Sequence, residues 1–242
     1  MRHERGEVDY GGSSVDPVLS STRRISYAKS CFFVKGEDSS RNCRIELEPH
    51  VVVRFYEIFD GHGGPRAGCF CAEHLPSLIA VHYATAPGVS CAERIRAACN
   101  SAFVETDELF RIASPTRSDG ATATCVIIDG DKVTTANAGA AIGRIKGRNG
   151  LPVGPERIYS GGLGVSRSIG DRDSTAAIPD PEVRTVTLPA SGGMIVIASD
   201  GMRDFVSRTL TEKLAQQSRK PRSGAAWLAR ADARDHPVQP GD

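Results

Sequence analysis

The 242-residue sequence lacks several features that would mark a specialised class of protein. It has no apolar run close to the roughly 18 residues that a membrane-spanning helix needs, so we expect no membrane association. Its charges nearly cancel, with 30 Lys and Arg against 29 Asp and Glu, and the net charge of +1 argues against nucleic-acid binding. The first residues also lack the apolar segment of a secretory signal.

The cysteines do not suggest a disulfide framework, and the sequence contains no internal repeat. There are seven cysteines, an odd number, and several fall within predicted helices or strands. Reduced thiols of this kind are typical of proteins in a reducing compartment. We therefore expect an intracellular, cytoplasmic protein, with the nucleus as the alternative compartment.

Hydrophobic periodicity predicts helices and strands that are segregated along the chain. Residues 1–24 are polar and rich in Gly and Ser, which is typical of a loose lead-in. The predicted strands cover 25–34, 51–59, 123–128, 132–136, 182–187 and 194–198. The first predicted helix follows Gly64-Pro65 and runs to about residue 80, and the others run from Ser90 to Ile112 and over 207–218 and 223–233.

Three local signals refine these elements. Pro76 lies inside the first predicted helix and is expected to kink or split it. Ser90 and Glu93 have the spacing of a capping box at the start of the second helix. Asp129-Gly130 between two β-rich runs predicts a hairpin. Segregated elements with a hairpin indicate an α+β fold rather than a parallel βαβ array.

The segment 59–64, Phe-Asp-Gly-His-Gly-Gly, is the most informative in the sequence. It follows an apolar run that is typical of a buried strand, so Asp60, Gly61 and His62 lie together at a strand end, where functional groups are often held. Oxygen ligands from an Asp and a nearby carbonyl suit a hard divalent cation. The imidazole two residues after Asp60 is well placed to handle a proton.

Further acidic residues lie at or beside the ends of predicted strands, namely Glu37, Asp38, Asp200 and Asp242. Mg²⁺ or Mn²⁺ commonly binds such carboxylate clusters. Two ions about 3.5–4 Å apart could share Asp60 and activate a water for attack on phosphorus. The alternative is that Asp60-Gly61 and Asp200-Gly201 are simply turns, in which Asp-Gly is common.

Six motifs resemble, in order, those of the metal-dependent type 2C serine/threonine protein phosphatases. They are Phe59-Asp60-Gly61-His62-Gly63-Gly64, Asp119-Gly120-Ala121-Thr122-Ala123, Ala136-Asn137-Ala138-Gly139, the segment from Gly161 to Asp171, Pro179-Asp180-Pro181-Glu182-Val183, and Ala198-Ser199-Asp200-Gly201-Met202-Arg203-Asp204. Lys35-Gly36-Glu37-Asp38 is similar to the first acidic motif of that family. Six ordered motifs are far more specific than one pattern.

The resemblance implies a single catalytic domain over 25–242, a four-layer α-β-β-α sandwich of two antiparallel sheets flanked by helix pairs. It also implies two Mg²⁺ or Mn²⁺ ions at one edge of the sandwich. By position, Asp60 would bridge the ions, the Gly61 carbonyl would bind one, and Glu37, Asp200 and Asp242 would complete the site. His62 would be the general acid that protonates the leaving serine or threonine oxygen.

The sequence departs from the family pattern at three places. Ala140 stands where the family has an Asp that would serve a third metal, and Asp204 alone is not expected to hold that ion. Phe33 replaces a phosphate-binding Arg, which leaves Lys35 as a source of positive charge. The chain from Gly143 to Gly161 is shorter than the substrate-flanking flap of the family, so the flap is shortened or the sequence omits part of it. Asp38, Lys35 and Asp204 are expected beside the metal ligands or the substrate.

The leading hypothesis is a Mg²⁺- or Mn²⁺-dependent phosphatase that hydrolyses phosphoserine and phosphothreonine in proteins with a metal-activated water. The rival is a catalytically impaired pseudophosphatase that serves as a docking module in a larger assembly, and it is motivated by Ala140-Ala141, Phe33 and the shortened flap. Against the rival stand Asp60, His62 and Asp200, because a scaffold has no need for carboxylates whose repulsion a metal must offset. A phosphatase of small molecules is a third alternative.

Overall fold

The structure is a computed structural model, and it describes residues 36–116, 118–139, 165–174, 177–189, 195–199, 209–211 and 213. The chain divides into two compact units, one formed by Glu37–Gly193 and the other by Met1–Gly36 and Met194–Asp242. The predicted strand over 25–34 and the predicted helix over 223–233 lie outside the described residues.

The second unit is described at few positions. The sequence predicts a strand over 194–198, but the described residues 195–198 form no strand and pair with none of the described strands. A strand needs a neighbouring strand to satisfy its backbone N–H and C=O groups. Apolar composition alone was therefore not enough to predict a strand here. Thr209, Leu210, Thr211 and Lys213 lie in helical backbone, within the helix predicted over 207–218.

An antiparallel sheet of six strands forms the framework of the unit Glu37–Gly193. The strands are β1 (Ser39–Glu48), β2 (Val51–His62), β3 (Gly120–Asp129), β4 (Lys132–Ala138), β5 (Ile169–Gly170) and β6 (Glu182–Thr187). Their order across the sheet is β1-β2-β3-β4-β6, and β5 pairs with the start of β3. Every pairing is antiparallel, which supports the α+β class.

Two helices, α1 (Arg66–Thr85) and α2 (Cys91–Ala113), pack against each other and against the sheet. Alternate residues of β2, such as Phe55 and Phe59, are fully buried with Leu75 of α1 and Phe103 of α2 in one apolar core. The predicted capping box starts α2, because the Ser90 hydroxyl accepts from the N–H three residues on and that residue's carboxylate accepts from the Ser90 N–H. Neither helix is apolar over a length that would cross a membrane, within the described part of the chain.

Pro76 does not split α1, so that part of the prediction was wrong. The helix continues on both sides of the proline, from Arg66 to Thr85. Proline has no N–H with which to bond the carbonyl four residues before it, which here belongs to Ala72. The Arg41 guanidinium on β1 donates a hydrogen bond to that carbonyl at 2.9 Å. A side chain of the neighbouring strand therefore satisfies the group that the proline leaves unpaired.

The hairpin of β3 and β4 is confirmed, whereas β1 was missed. Asp129 pairs with Lys132, and Gly130 takes a positive φ of 55° in the turn between them. In β1, Cys43, Ile45 and Leu47 alternate with exposed polar residues, as expected of an edge strand with one face on the core. This alternation is present in the sequence, but the Arg and Glu residues between the apolar positions made the segment look too polar for a strand.

Candidate active site

The edge of the sheet brings the first acidic segment against the segment 59–64. In the register of β1 and β2, Ser39 lies opposite Phe59. Continued by two residues, this register places Glu37 opposite Gly61 and Asp38 opposite Asp60, as expected for an antiparallel pair. Two motifs that are more than 20 residues apart in the sequence therefore meet at one strand end.

Gly61 is where the two backbones approach most closely. A Cβ atom at this position would lie 2.3 Å from the Glu37 carbonyl oxygen and 3.2 Å from the Gly64 carbonyl oxygen. Real Cβ atoms do not approach an oxygen so closely, so the arrangement requires glycine. Since the Glu37 backbone is held against Gly61, the Glu37 side chain starts from the same edge of the sheet as Asp60.

Asp60 and His62 share the face of β2 that is turned away from the helices. Side chains alternate along a strand, and Phe59 on the opposite face is buried in the helix-packed core. Asp60 and His62 are each partly exposed. A carboxylate and an imidazole are thus presented together on a rigid strand, and the Glu37 backbone lies against that strand at Gly61.

The His62 ring is held by Asp171, which follows β5. His62 Nε2 lies 2.7 Å from Asp171 Oδ1 and 2.9 Å from Asp171 Oδ2. Asp171 is only 3% exposed, whereas 34% of the His62 side chain is accessible. The pair therefore consists of a buried carboxylate beneath a ring that remains partly open to solvent.

The electrostatic surroundings favour the protonated form of His62. The hydrogen bond to Asp171 raises the pKa of His62 most, burial opposes this effect, and the negative charges of Asp171, Asp60 and Glu37 raise the pKa further. A raised pKa is the shift expected for an imidazole that faces several carboxylates. A raised pKa favours the charged ring, which is the form that can donate a proton.

The described residues fit part of a hard-cation site. Asp60 and Glu37 supply carboxylate oxygens. Gly61 has no side chain, so none lies between it and the nearby backbone carbonyl oxygens of Glu37 and Gly64. Among the described residues, however, no three His, Cys, Asp or Glu side chains come together as a complete metal site. Four predicted residues lie outside the described part of the chain, namely Lys35, Asp200, Asp204 and Asp242.

The sequence was compared with models of known families and with curated proteins. The family model described as "Protein phosphatase 2C" matches residues 32–150 and 142–235. The chain belongs to the protein phosphatase 2C family. Among curated members, it is 33% identical over 233 residues to "Probable protein phosphatase 2C 5" of Arabidopsis thaliana, with 78% of this chain and 54% of that protein covered. It is 31% identical over 253 residues to "Probable protein phosphatase 2C 33" of Oryza sativa subsp. japonica, with 86% and 56% covered.

Two solved structures resemble the chain as well. A serine-threonine phosphatase 2C from Toxoplasma gondii matches with a TM-score of 0.62 and 17% identity, over 83% of this chain and 86% of that one. A C. elegans sex determining protein matches with a TM-score of 0.64 and 20% identity, over 84% and 58%. These identities support the fold alone. The chain spans about half the length of the curated relatives that it matches.

One residue of this candidate site was not singled out from the sequence. Asp171 ends one of the six motifs, yet nothing in the sequence ties it to His62, which lies 109 positions earlier. The available signal was an Asp after Gly170, at the end of a segment that the motif already marked. Only the pairing of β5 with β3, which in turn pairs with β2, brings the two residues together.

Proposed function

We propose that the chain is the catalytic domain of a Mg²⁺- or Mn²⁺-dependent protein serine/threonine phosphatase. The observation that carries the proposal is the meeting of Glu37, Asp60, Gly61 and His62 at one edge of the sheet. Family membership supports a protein phosphatase, and phosphorylated proteins are then the substrates.

Asp60, Glu37, the Gly61 carbonyl, Asp200 and Asp242 would hold two divalent ions. When bound, such ions lower the pKa of a water and place it for in-line attack on phosphorus. The carboxylates of Asp60 and Glu37 are already close enough to the His62 ring to raise its pKa. Their mutual repulsion in the absence of cations is the physical reason for expecting metal affinity at this edge.

His62 would provide the proton for the leaving group. Cleavage of a phosphoserine breaks the bond between phosphorus and the serine oxygen, and the departing alkoxide is a strong base. A positioned acid that donates a proton to this oxygen contributes roughly 10²–10⁴-fold to the rate. The His62 side chain is partly exposed to solvent, and its carboxylate neighbours raise the pKa of the ring.

The fold around the site is proposed to be the four-layer α-β-β-α sandwich. The face of the sheet turned away from the helices carries buried apolar side chains, namely those of Val126, Ile128 and Val133. Buried apolar residues on both faces of a sheet favour a second layer against the second face. We also propose that the flap beside the site is shortened. The short stretch of chain from Gly143 to Gly161 supports this part of the proposal.

We propose an intracellular location for this domain, in the cytoplasm or nucleus. The six described cysteines are all free, with Cys71, Cys99 and Cys125 buried. Buried free thiols without disulfides are typical of a reducing environment.

The function is tested with Asp60→Asn and a phosphoserine peptide. Asparagine keeps the size of the side chain but removes the charge, so we expect metal-dependent phosphate release to be lost and Mn²⁺ binding, measured by calorimetry, to weaken strongly. Asp131→Asn in the turn between β3 and β4 is the matched control and should retain both properties. Unchanged turnover in Asp60→Asn would remove this mechanism.

The same experiment separates the two rival functions. A pseudophosphatase, which Ala140 and Phe33 motivate, would bind Mn²⁺ in the unaltered chain without releasing phosphate from any substrate. A small-molecule phosphatase would hydrolyse simple phosphate monoesters and leave phosphoserine and phosphothreonine peptides intact. Turnover of the peptides supports the protein phosphatase and excludes both rivals.

A further inference from the structure

We infer that Asp171 is the positioning residue for His62, holding the imidazole by its Nε2 atom so that the other ring nitrogen serves the leaving group. This inference rests on the proposed function, because it gives His62 the role of proton donor. Three features of the structure carry it: the geometry of the pair, the way in which Asp171 is itself held, and the space that Gly120 leaves.

The contact between the two side chains fixes which nitrogen carries a proton. An ionised carboxylate only accepts hydrogen bonds, so the Nε2 atom of His62 must donate to Asp171. Both carboxylate oxygens lie within 3 Å of Nε2, which restrains rotation of the ring. A hydrogen bond to one ring nitrogen in this way sets the tautomer and orientation of the whole imidazole.

Asp171 is itself fixed from several sides. The Ser168 hydroxyl donates to Asp171 Oδ2 at 2.5 Å, and Ser168 is 1% exposed. The Asp171 N–H donates to the Asp119 carbonyl, and the Asp171 carbonyl accepts from the Ser174 N–H. The backbone takes a φ of 48°, a left-handed conformation that Asp tolerates better than most residues. Such a carboxylate has little freedom to leave the ring.

Gly120 provides the space through which the carboxylate reaches the ring. Gly120 lies directly opposite His62 in the pairing of β2 with β3, and opposite Gly170 in the pairing with β5. A Cβ atom on Gly120 would lie 2.4–2.5 Å from three atoms of the Asp171 carboxyl group. Any side chain here would therefore push the carboxylate away from His62. The position of Asp171 is built into the sheet and is not a chance surface contact.

The consequence for the reaction is a defined path for one proton. With Nε2–H held by Asp171, the proton that leaves the imidazolium is the one on Nδ1. It passes to the serine or threonine oxygen as the bond between phosphorus and that oxygen breaks. The attacking water forms the new bond to phosphorus, and its protons remain on the phosphate product. The ring is left neutral with its remaining proton on Nε2, still donated to Asp171.

The first test compares two substrates whose leaving groups differ in basicity. A phosphoserine peptide needs a proton on its leaving alkoxide, whereas p-nitrophenyl phosphate releases a stable phenolate and needs little help. We expect Asp171→Asn to lower kcat for the peptide by at least about tenfold more than for p-nitrophenyl phosphate, within the ~10²–10⁴-fold that a general acid supplies. KM should change little, and Asp173→Asn, an exposed neighbour, should behave like the unaltered protein.

Ser168→Ala provides a second variant that leaves the carboxylate in place. It removes only the hydroxyl that holds Oδ2, so a smaller loss in the same direction is expected, and it replaces Asp171→Asn if that variant does not fold. Equal losses for both substrates would overturn the inference. If the unaltered protein hydrolyses neither substrate, the proposed function fails, while the following measurement still decides the role of Asp171.

The second test reads the ring directly and needs neither metal nor substrate. Long-range ¹H–¹⁵N spectra of the neutral imidazole report which ring nitrogen carries the proton, and a His62→Gln variant assigns the signal among the six histidines. We expect the proton on Nε2 in the unaltered protein and a shift of population towards Nδ1 in Asp171→Asn. The same tautomer in both proteins would overturn the inference.

Discussion

Replacing Glu57 with glutamine should stabilise the protein by an amount that grows with pH. Glu57 lies in β2 on the face packed by the helices, in line with Phe55 and Phe59, and is 2% exposed. Neither of its carboxyl oxygens has a hydrogen-bond partner among the described residues. Burial raises the pKa of Glu57 to about 9, against a small opposing effect of the Arg41 charge. The carboxyl group of Glu57 in this core is therefore protonated and neutral at pH 7.

The sign of the effect follows from proton binding. Between the ordinary value of 4.5 and the folded value of about 9, the folded protein holds a proton on Glu57 that the unfolded chain has released. The free energy of unfolding therefore falls as the pH rises through this range, by about 1.4 kcal/mol for each pH unit. At pH 7.5, three units above the ordinary value, the accumulated cost is about 4 kcal/mol as an upper value. Water entry or relaxation around the side chain would reduce it.

The assay is urea unfolding of Glu57→Gln and the unaltered protein at pH 6, 7 and 8. Glutamine has nearly the same shape and cannot ionise, so its advantage should widen with each pH step and shrink towards acid pH. Glu46→Gln on the exposed side of β1 is the matched control and should show no such trend. A constant difference between Glu57→Gln and the unaltered protein would refute the reasoning, because it would show that Glu57 does not take up a proton on folding.

Two further predictions concern contacts that the fold creates. Arg41→Met should lower the free energy of unfolding in urea by about 1 kcal/mol, because the Ala72 carbonyl loses its hydrogen-bond donor. This cost should nearly vanish in a Pro76→Ala background, because residue 76 then supplies its own N–H to that carbonyl. Equal costs in both backgrounds would contradict this account. Gly61→Ala should abolish Mn²⁺ binding in calorimetry, because its Cβ would lie 2.3 Å from the Glu37 carbonyl oxygen. Full Mn²⁺ affinity in this variant would show that the backbones at Gly61 and Glu37 can separate at little cost.

Much of the local structure was predictable because its causes are local. The capping box at Ser90 and the turn at Gly130 depend on residues within a few positions, and both are where the sequence placed them. The outcome at Pro76 was not predictable, because the compensating donor, Arg41, comes from another element. The edge strand β1 was missed for a related reason: its polar residues are acceptable only because one of its faces is covered by α1.

The sequence by itself determined the family and the chemical groups of the site. The motifs are contiguous in the sequence and occur in a fixed order, so the candidate site residues Asp60, Gly61, His62 and Glu37 could be named without coordinates. Tertiary structure alone decided that Asp171 supports His62, since the two meet only through the pairing of three strands. It also decided that Glu57 is buried with no hydrogen-bond partner among the described residues, because the environment of a side chain is set by residues far away in the sequence.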